Sequence, residues 1–228
     1  MDVNPSRPLV IAIDGPSGAG KGTVSRVVAE RLNYRHVDTG AMYRAVAWLA
    51  LARGIALTEA DQLAALAASA SIRCDRVVEI DGHDVTADIR TPEIDRAAAL
   101  VAQYPALREV LVARQRQHGR DGGVVMEGRD IGTVVFPAAD VKVYLDASAD
   151  ERARRRAFDE SHSAGHTQHS VGDVAQALEH RDRTDRTRAT SPLTRTDDAL
   201  YIDTTDLSIA DVVARVMAAV ESRLNPTD

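Results

Sequence analysis

Apolar residues in this chain fall into short blocks that switch between two periods. Residues 9–14 (LVIAID) form a wholly apolar, partly β-branched run closed by an acid, the pattern of a strand buried on both faces. Glycines follow directly. From about 22 to 32 the residues Val24, Val27, Val28 and Leu32 recur at helical spacing, which predicts strand, glycine loop and helix in that order. Further helices are predicted over roughly 40–53 and 61–70. Between 71 and 85 the fragments IRC and VVEI alternate around polar turns and end at DGHD, which predicts a small antiparallel hairpin. Two helical segments, about 92–103 and 105–117, each open on a proline suited to a first turn. The runs 124–126, 141–145 and 200–202 are bounded by turns and each is followed by a helical pattern. This alternation predicts an α/β fold, a parallel sheet flanked by helices. Residues 161–170 (SHSAGHTQHS) are polar and small, as in a mobile surface loop, and no internal repeat is visible.

Length keeps this to one domain with room for a modest insertion, because 228 residues lie below the roughly 250 at which single cores split. The net charge of −6 argues against a general nucleic-acid surface, which needs a basic excess, and leaves small phosphorylated ligands open. Cys74 is the only cysteine, so there is no disulfide framework and a reducing, cytoplasmic home is expected. The start, MDVNPSRP, lacks a charged region followed by an apolar one, and no run reaches about 18 apolar residues, so neither secretion nor membrane spanning is expected. Lys21 and Lys142 are the only lysines in a chain that otherwise uses arginine. A lone arginine is therefore weak evidence here, whereas a lysine inside a glycine loop is informative.

That loop, Gly15, Pro16, Ser17, Gly18, Ala19, Gly20, Lys21, Gly22 and Thr23, has the phosphate-loop spacing of glycine, four residues, glycine and lysine, between a strand and a helix. Its backbone N–H groups can point at phosphate oxygens, the helix N-terminus adds partial positive charge, and Lys21 can reach the β and γ phosphates. A plain turn with a helix cap is the bland alternative, and the agreement of strand, loop and helix argues against it. The general pattern wants Ser or Thr directly after the lysine; Gly22 stands there, with Thr23 one place on, so magnesium ligation by the loop is left open. The next constellation runs from Asp38 to Arg44 (DTGAMYR), where Thr39 can cap a helix and Arg44, one turn on, can pair bidentately with a phosphate. An ordinary capped helix reads the same way. A protease Asp-Thr-Gly is rejected, since no second copy exists. At the carboxyl end of the run 124–126, EGRDIGTVVF projects Arg129 and Asp130 toward the crevice where open parallel sheets bind ligands, against a bland solvated turn ion pair. Arg181, Asp185 and Arg188 fall at i, i+4 and i+7, one face of a helix, as an exposed ion-pair helix would also have it. Arg154, Arg155 and Arg156 begin the loop region and could clamp ATP as it closes. His162, His166 and His169 invite a metal reading, but their loop supplies no structured acid or cysteine partner and reads as solvated.

Together IDGPSGAGKGT, DTGAMYR, ADIRT, EGRDIGTVVFP, VYLDAS and RDRTDRTRATSPL resemble bacterial cytidylate kinases, in family order from Leu9 to about Glu221. The resemblance implies a P-loop kinase core (about 9–57, 91–153 and 171–223), a monophosphate-binding insertion (about 58–90) and an arginine-bearing mobile lid (about 154–170). It implies transfer of the γ-phosphate of ATP, with Mg2+, to CMP or dCMP, in a monomer acting on small molecules and not on nucleic acid. Thr39, Arg44 and Arg129 would hold the acceptor phosphate, Arg108 and Asp130 would read cytosine, and Arg181, Asp185 and Arg188 would contact ribose and phosphate, with Tyr43 and Gly128 in the same pocket. Lys21, Arg129 and Arg188 would carry catalysis, Arg155 would join the glycine loop on ATP, and the metal ligands are left open. Relatives carry a serine hydroxyl near the base where this chain has Ala99, and the hairpin CDRVVEIDG is shorter than in some of them. Rival readings are a kinase of UMP or AMP, a kinase of a shikimate-like metabolite, whose hydroxyl would need a carboxylate base such as Asp38 or Asp130, and a non-catalytic P-loop module, whose guanine-reading Asn-Lys-x-Asp pattern is absent.

Overall fold

A computed structural model of the chain describes residues 7–75, 77–159 and 171–225. The histidines at 162, 166 and 169, and the part of the expected lid from 160 to 170, lie outside the described residues.

Five strands form one parallel sheet: β1 (Val10–Asp14), β2 (Arg35–Asp38), β6 (Val124–Gly128), β7 (Val141–Asp146) and β8 (Leu200–Asp203), in the order β2-β6-β1-β7-β8. β1 is central, pairing Val10 with Val124 on one side and Ile11 with Val141 on the other, and is buried along its whole length, which accounts for its unbroken apolar run. Two apolar clusters cover the two faces. One holds α1 (Lys21–Leu32) and α8 (Ile209–Leu224) against Ile11, Ile13 and Val143. The other joins α2 (Thr39–Ala52), α3 (Ala60–Ser69), α4 (Pro92–Val101) and α5 (Pro105–His118) around Ala12 and Met126.

Residues 71–85 make more than a hairpin. Strands β3 (Ile72–Cys74), β4 (Val78–Ile80) and β5 (His83–Asp84) form a three-stranded antiparallel sheet. Asp81 (φ 48°) and Gly82 (φ 80°) both adopt positive φ in the β4–β5 turn, the primed geometry that matches strand twist, and Cys74, Val78, Ile80 and Val85 pack on the α2 side of the core.

Two further expectations are corrected. Arg154, Arg155 and Arg156 do not begin a loop: they form the last turn of α6 (Ala149–Ala157), capped by Ser148, whose Oγ accepts from the Glu151 amide, with acids in its first turn and arginines in its last, as the helix dipole favours. And β6 is followed by no full helix, only a π turn over Ile131–Val135, because the Asp14 carboxylate takes the amides of Ile131 and Gly132 at 2.8 and 2.7 Å and bends the chain there. The remaining helix, α7 (Val171–Thr187), packs against α6.

Candidate active site

The turn from β1 into α1 is shaped by its neighbours. Gly15 has φ +148°, and a Cβ there would lie 2.0 Å from the Leu145 carbonyl oxygen, so the loop can leave β1 beside β7 only as glycine. Gly18, at φ +81°, packs with its α-carbon against Arg152, where a Cβ would lie 2.9 Å from the Arg152 Cβ. Arg152 is itself buried, donating to the carbonyls of Ala147 and Ser17 and pairing with Asp182 of α7. Lys21 folds back and donates to the Pro16 carbonyl at 2.7 Å. Burial, reinforced by the nearby Arg129 charge, brings its ammonium pKa down to about 7. Burial pushes the Asp14 carboxyl up to about 6 against the two amides it accepts from.

Across the cleft the chemistry is side-chain rather than main-chain. Asp38, not Thr39, caps α2: its carboxylate reaches the Ala41 amide at 3.0 Å, which leaves the Thr39 hydroxyl to donate to the Glu127 carbonyl at 2.7 Å. The Asp38 carboxylate also receives Arg44 at 2.7 Å, and although burial opposes it, that guanidinium holds the carboxyl down to about 2. Arg129 donates through Nε to Asp185 at 2.9 Å. Arg188, just past the end of α7, stands 3.6 Å from Asp185 and 3.8 Å from Asp130, which is paired with Arg108 of α5. Arg108 also lies over the ring of Tyr43, 5.5 Å from its centre, and burial pushes the Tyr43 phenol up to about 12. Arg156 and Arg181 both reach Asp95 of α4. Among the described residues, Nε of Arg44, Arg108 and Arg181 is buried with no hydrogen-bond partner. Buried guanidinium nitrogens in this condition point to a ligand that brings acceptors.

One cavity of about 810 Å³ unites both sides. It is lined by Ser17 to Thr23 and Arg155 at one end, and by Thr39, Tyr43, Arg44, Arg108, Gly128, Arg129, Asp130, Arg181, Asp185 and Arg188 at the other. Gly15 and Pro16 sit behind the lining, one against Leu145 and the other accepting from Lys21. Arg155 points at the turn just past β8: it donates to the hydroxyl and carbonyl of Thr204 at 2.9 and 2.6 Å. Ala99 lines the wall beside Ala98 and Ala102.

The family model for cytidylate kinase matches residues 11–222. The chain belongs to the cytidylate kinase family. A cytidylate kinase of Desulfitobacterium hafniense (strain Y51) is 46% identical over 95% of this chain and 94% of its own, and one of Solibacter usitatus (strain Ellin6076) is 46% identical over the same shares. A crystal structure of an uncharacterized protein from Eubacterium ventriosum ATCC 27560, 10% identical, superposes with a TM-score of 0.53 over 94% of this chain and 99% of that one, a likeness of fold alone. In this member of the family, sequence reasoning assigned no role to Glu127, Asp95 or the Arg152–Asp182 pair, and to Asp38 only that of a base in a rival reading. Glu127 carried a usable signal, an acid near the end of a buried strand beside Asp14; Asp95 carried none.

For a divalent ion the fit is partial but consistent. Among the described residues no cluster of three or more acid, histidine or cysteine side chains forms a closed cage. Magnesium needs fewer, since it keeps several waters and takes one or two carboxylates plus substrate phosphates. Glu127 meets that description: its carboxylate lies 3.3 Å from where a Cβ on Gly22 would stand, so the glycine that replaces the usual hydroxyl residue makes room for an acid at the phosphate loop. No helix among the described residues is long and apolar enough to cross a membrane.

Proposed function

We propose that this chain transfers the γ-phosphate of ATP to CMP or dCMP, and that the residues lining the two ends of the cavity divide the work. The observation that carries this reading is the pairing of Arg108 with Asp130 beside Arg188, facing the glycine loop across one cavity. Cytosine offers an exocyclic amine to a carboxylate and N3 and O2 acceptors to an arginine, whereas uracil would set O4 against Asp130. A shikimate-like acceptor would use neither and would need a carboxylate base for its hydroxyl.

Glycine-loop amides and Lys21 would hold the triphosphate, with Arg155 released from Thr204 to join them. Thr39, Arg44, Arg129 and Arg181 would hold the acceptor phosphate. That phosphate is already ionised at neutral pH, so its oxygen attacks without a general base, and the rate rests on alignment and charge neutralisation. Lys21, Arg129 and Arg188 supply the neutralising charge along the line of transfer. Glu127 would hold Mg2+ on the triphosphate, and the ion adds charge compensation there. Residues 58–90 would close over the acceptor, and the arginine-bearing last turn of α6 would face the donor, excluding water as a competing acceptor. The single thiol, Cys74, supports a reducing, cytoplasmic home, and the net charge of −6 supports small nucleotides over nucleic acid as partners of what we take to be a monomer.

A coupled assay with ATP and CMP, dCMP, UMP or AMP tests the assignment. CMP and dCMP are expected to be turned over with the highest kcat/KM; a preference for UMP or AMP, or no turnover of any of them, overturns it.

A further inference from the structure

Asp95 belongs to no motif, yet it occupies a pivotal place among the arginines. It sits in the first turn of α4 and receives Arg156 from the last turn of α6 and Arg181, at 3.4 Å, from α7. Arg44 of α2 feels it as well: after burial and Asp38, the Asp95 charge is the next influence on that guanidinium. Two cations from two helices therefore pair with one carboxylate, a third feels its charge, and all three line the cavity. Each is costly to keep there. Burial and mutual repulsion pull the pKa values of Arg156 and Arg181 down, and Asp95 acts against both.

We propose that Asp95 is a carboxylate stand-in for the acceptor phosphate, holding Arg156 and Arg181 on α4 in the nucleotide-free enzyme and competing with the phosphate for them. This rests on the reading of Arg44 and Arg181 as acceptor-phosphate residues. The physics is an exchange of anions. A carboxylate offers one charge and two oxygens, whereas a phosphate dianion offers two charges and three oxygens to the same fan of guanidinium groups, so it wins the exchange, but its affinity is lowered by what it must displace. The arrangement keeps buried arginines compensated before substrate arrives and ties α6 and α7 to α4 across the mouth of the cleft. Glu93 and Asp159 are acids near the same junction in sequence, but Arg156 and Arg181 converge on Asp95 alone among the ion pairs described.

The test is titration of inorganic phosphate, followed by calorimetry, into the nucleotide-free wild-type chain and its Asp95→Asn and Asp95→Glu variants at one ionic strength. Phosphate held at the glycine loop is blind to the substitution, so differences report on the arginine end. Asp95→Asn is expected to bind phosphate on the order of fivefold more tightly, with KM for CMP falling in proportion and kcat within about twofold of wild type, while Asp95→Glu keeps the competitor and stays within about twofold of wild type in phosphate affinity. Hydrogen exchange in α6 and α7 is expected to quicken in nucleotide-free Asp95→Asn. Unchanged or weaker phosphate binding by a folded Asp95→Asn overturns the proposal and makes Asp95 a scaffold for the arginines instead. Wild-type turnover of ATP and CMP, measured on the same preparation, judges the proposed function separately, since phosphate affinities are read without it.

Discussion

The two ends of the cavity manage negative charge by opposite means. At the glycine loop, the donors are main-chain amides and one lysine, positioned by Gly15 against Leu145 and Gly18 against Arg152. Amides carry no net charge, so several can be packed side by side without a counter-ion for each. At the other end the donors are guanidinium groups, and like charges at close range demand compensation. Asp38, Asp95, Asp130 and Asp185 provide it, each paired to at least one arginine. Such a site is adaptable in what it recognises, since a carboxylate can read a base while its partner reads a phosphate. On the proposed function, the glycine loop would hold the triphosphate by its phosphates, and discrimination of the acceptor would rest with the arginine end.

The sharpest way to break this contrast is at its one charged donor. Lys21→Met leaves the loop amides in place and is expected to lower kcat by about 10³-fold, the scale of a lost charge on the transferring phosphoryl group, in a steady-state coupled assay. Next, Arg129→Ala or Arg44→Ala is expected to cut turnover by on the order of 10² or more, because each removes a charge-assisted phosphate contact and strands its acid, Asp185 or Asp38. Near-wild-type rates in both would mean that the arginine end does not hold the acceptor.

The same contrast explains how much was legible beforehand. Chemistry at the glycine loop is contiguous, and its glycines announce their own backbone angles, so strand, loop and helix could be read directly from Leu9 to Leu32. Four of the five parallel strands followed from apolar blocks for the same local reason, whereas β2, RHVD, holds a single buried apolar residue. The arginine end is assembled from β2, α2, α4, α5, β6 and α7, and most of its members were named through family motifs, but its pairings were not. Whether Arg129 meets Asp130, its neighbour, or Asp185, on another element, depends on how α7 lies across the cleft; the structure pairs it with Asp185. That Asp38 rather than Thr39 caps α2 turns on a reach of one bond, which spacing does not encode. The third strand beside the β3–β4 hairpin, β5, was missed because two polar residues, His83–Asp84, carry no periodicity and read as the end of a turn.

A smaller effect sharpens the base-reading half of the contrast. Asp130→Asn keeps the shape of the pocket but offers uracil O4 an amide donor in place of a carboxylate, so the CMP to UMP ratio of kcat/KM is expected to fall by about tenfold, the value of one well-placed base contact. An unchanged ratio would remove Asp130 from base recognition and leave it as the counter-ion of Arg108.

The gentlest probe is pH, and it separates the ends without any substitution. In the free enzyme Lys21 has its pKa lowered to about 7 by burial and by Arg129, while the arginines opposite stay charged throughout the neutral range. Triphosphate binding favours the ammonium form, so affinity is complete below pH 7 and declines above it, as the fraction of free enzyme already protonated shrinks. For a pKa near 7 that fraction falls about fivefold between pH 7 and 8, and KM for ATP is expected to rise by the same factor. KM for CMP should stay flat over that interval, since its phosphate is ionised and its guanidinium partners do not titrate. Calorimetry in two buffers of different ionisation enthalpy would detect the proton taken up with ATP at pH 8 and none with CMP. Equal pH dependence for both nucleotides would mean that the main-chain end and the side-chain end do not differ in how they store charge.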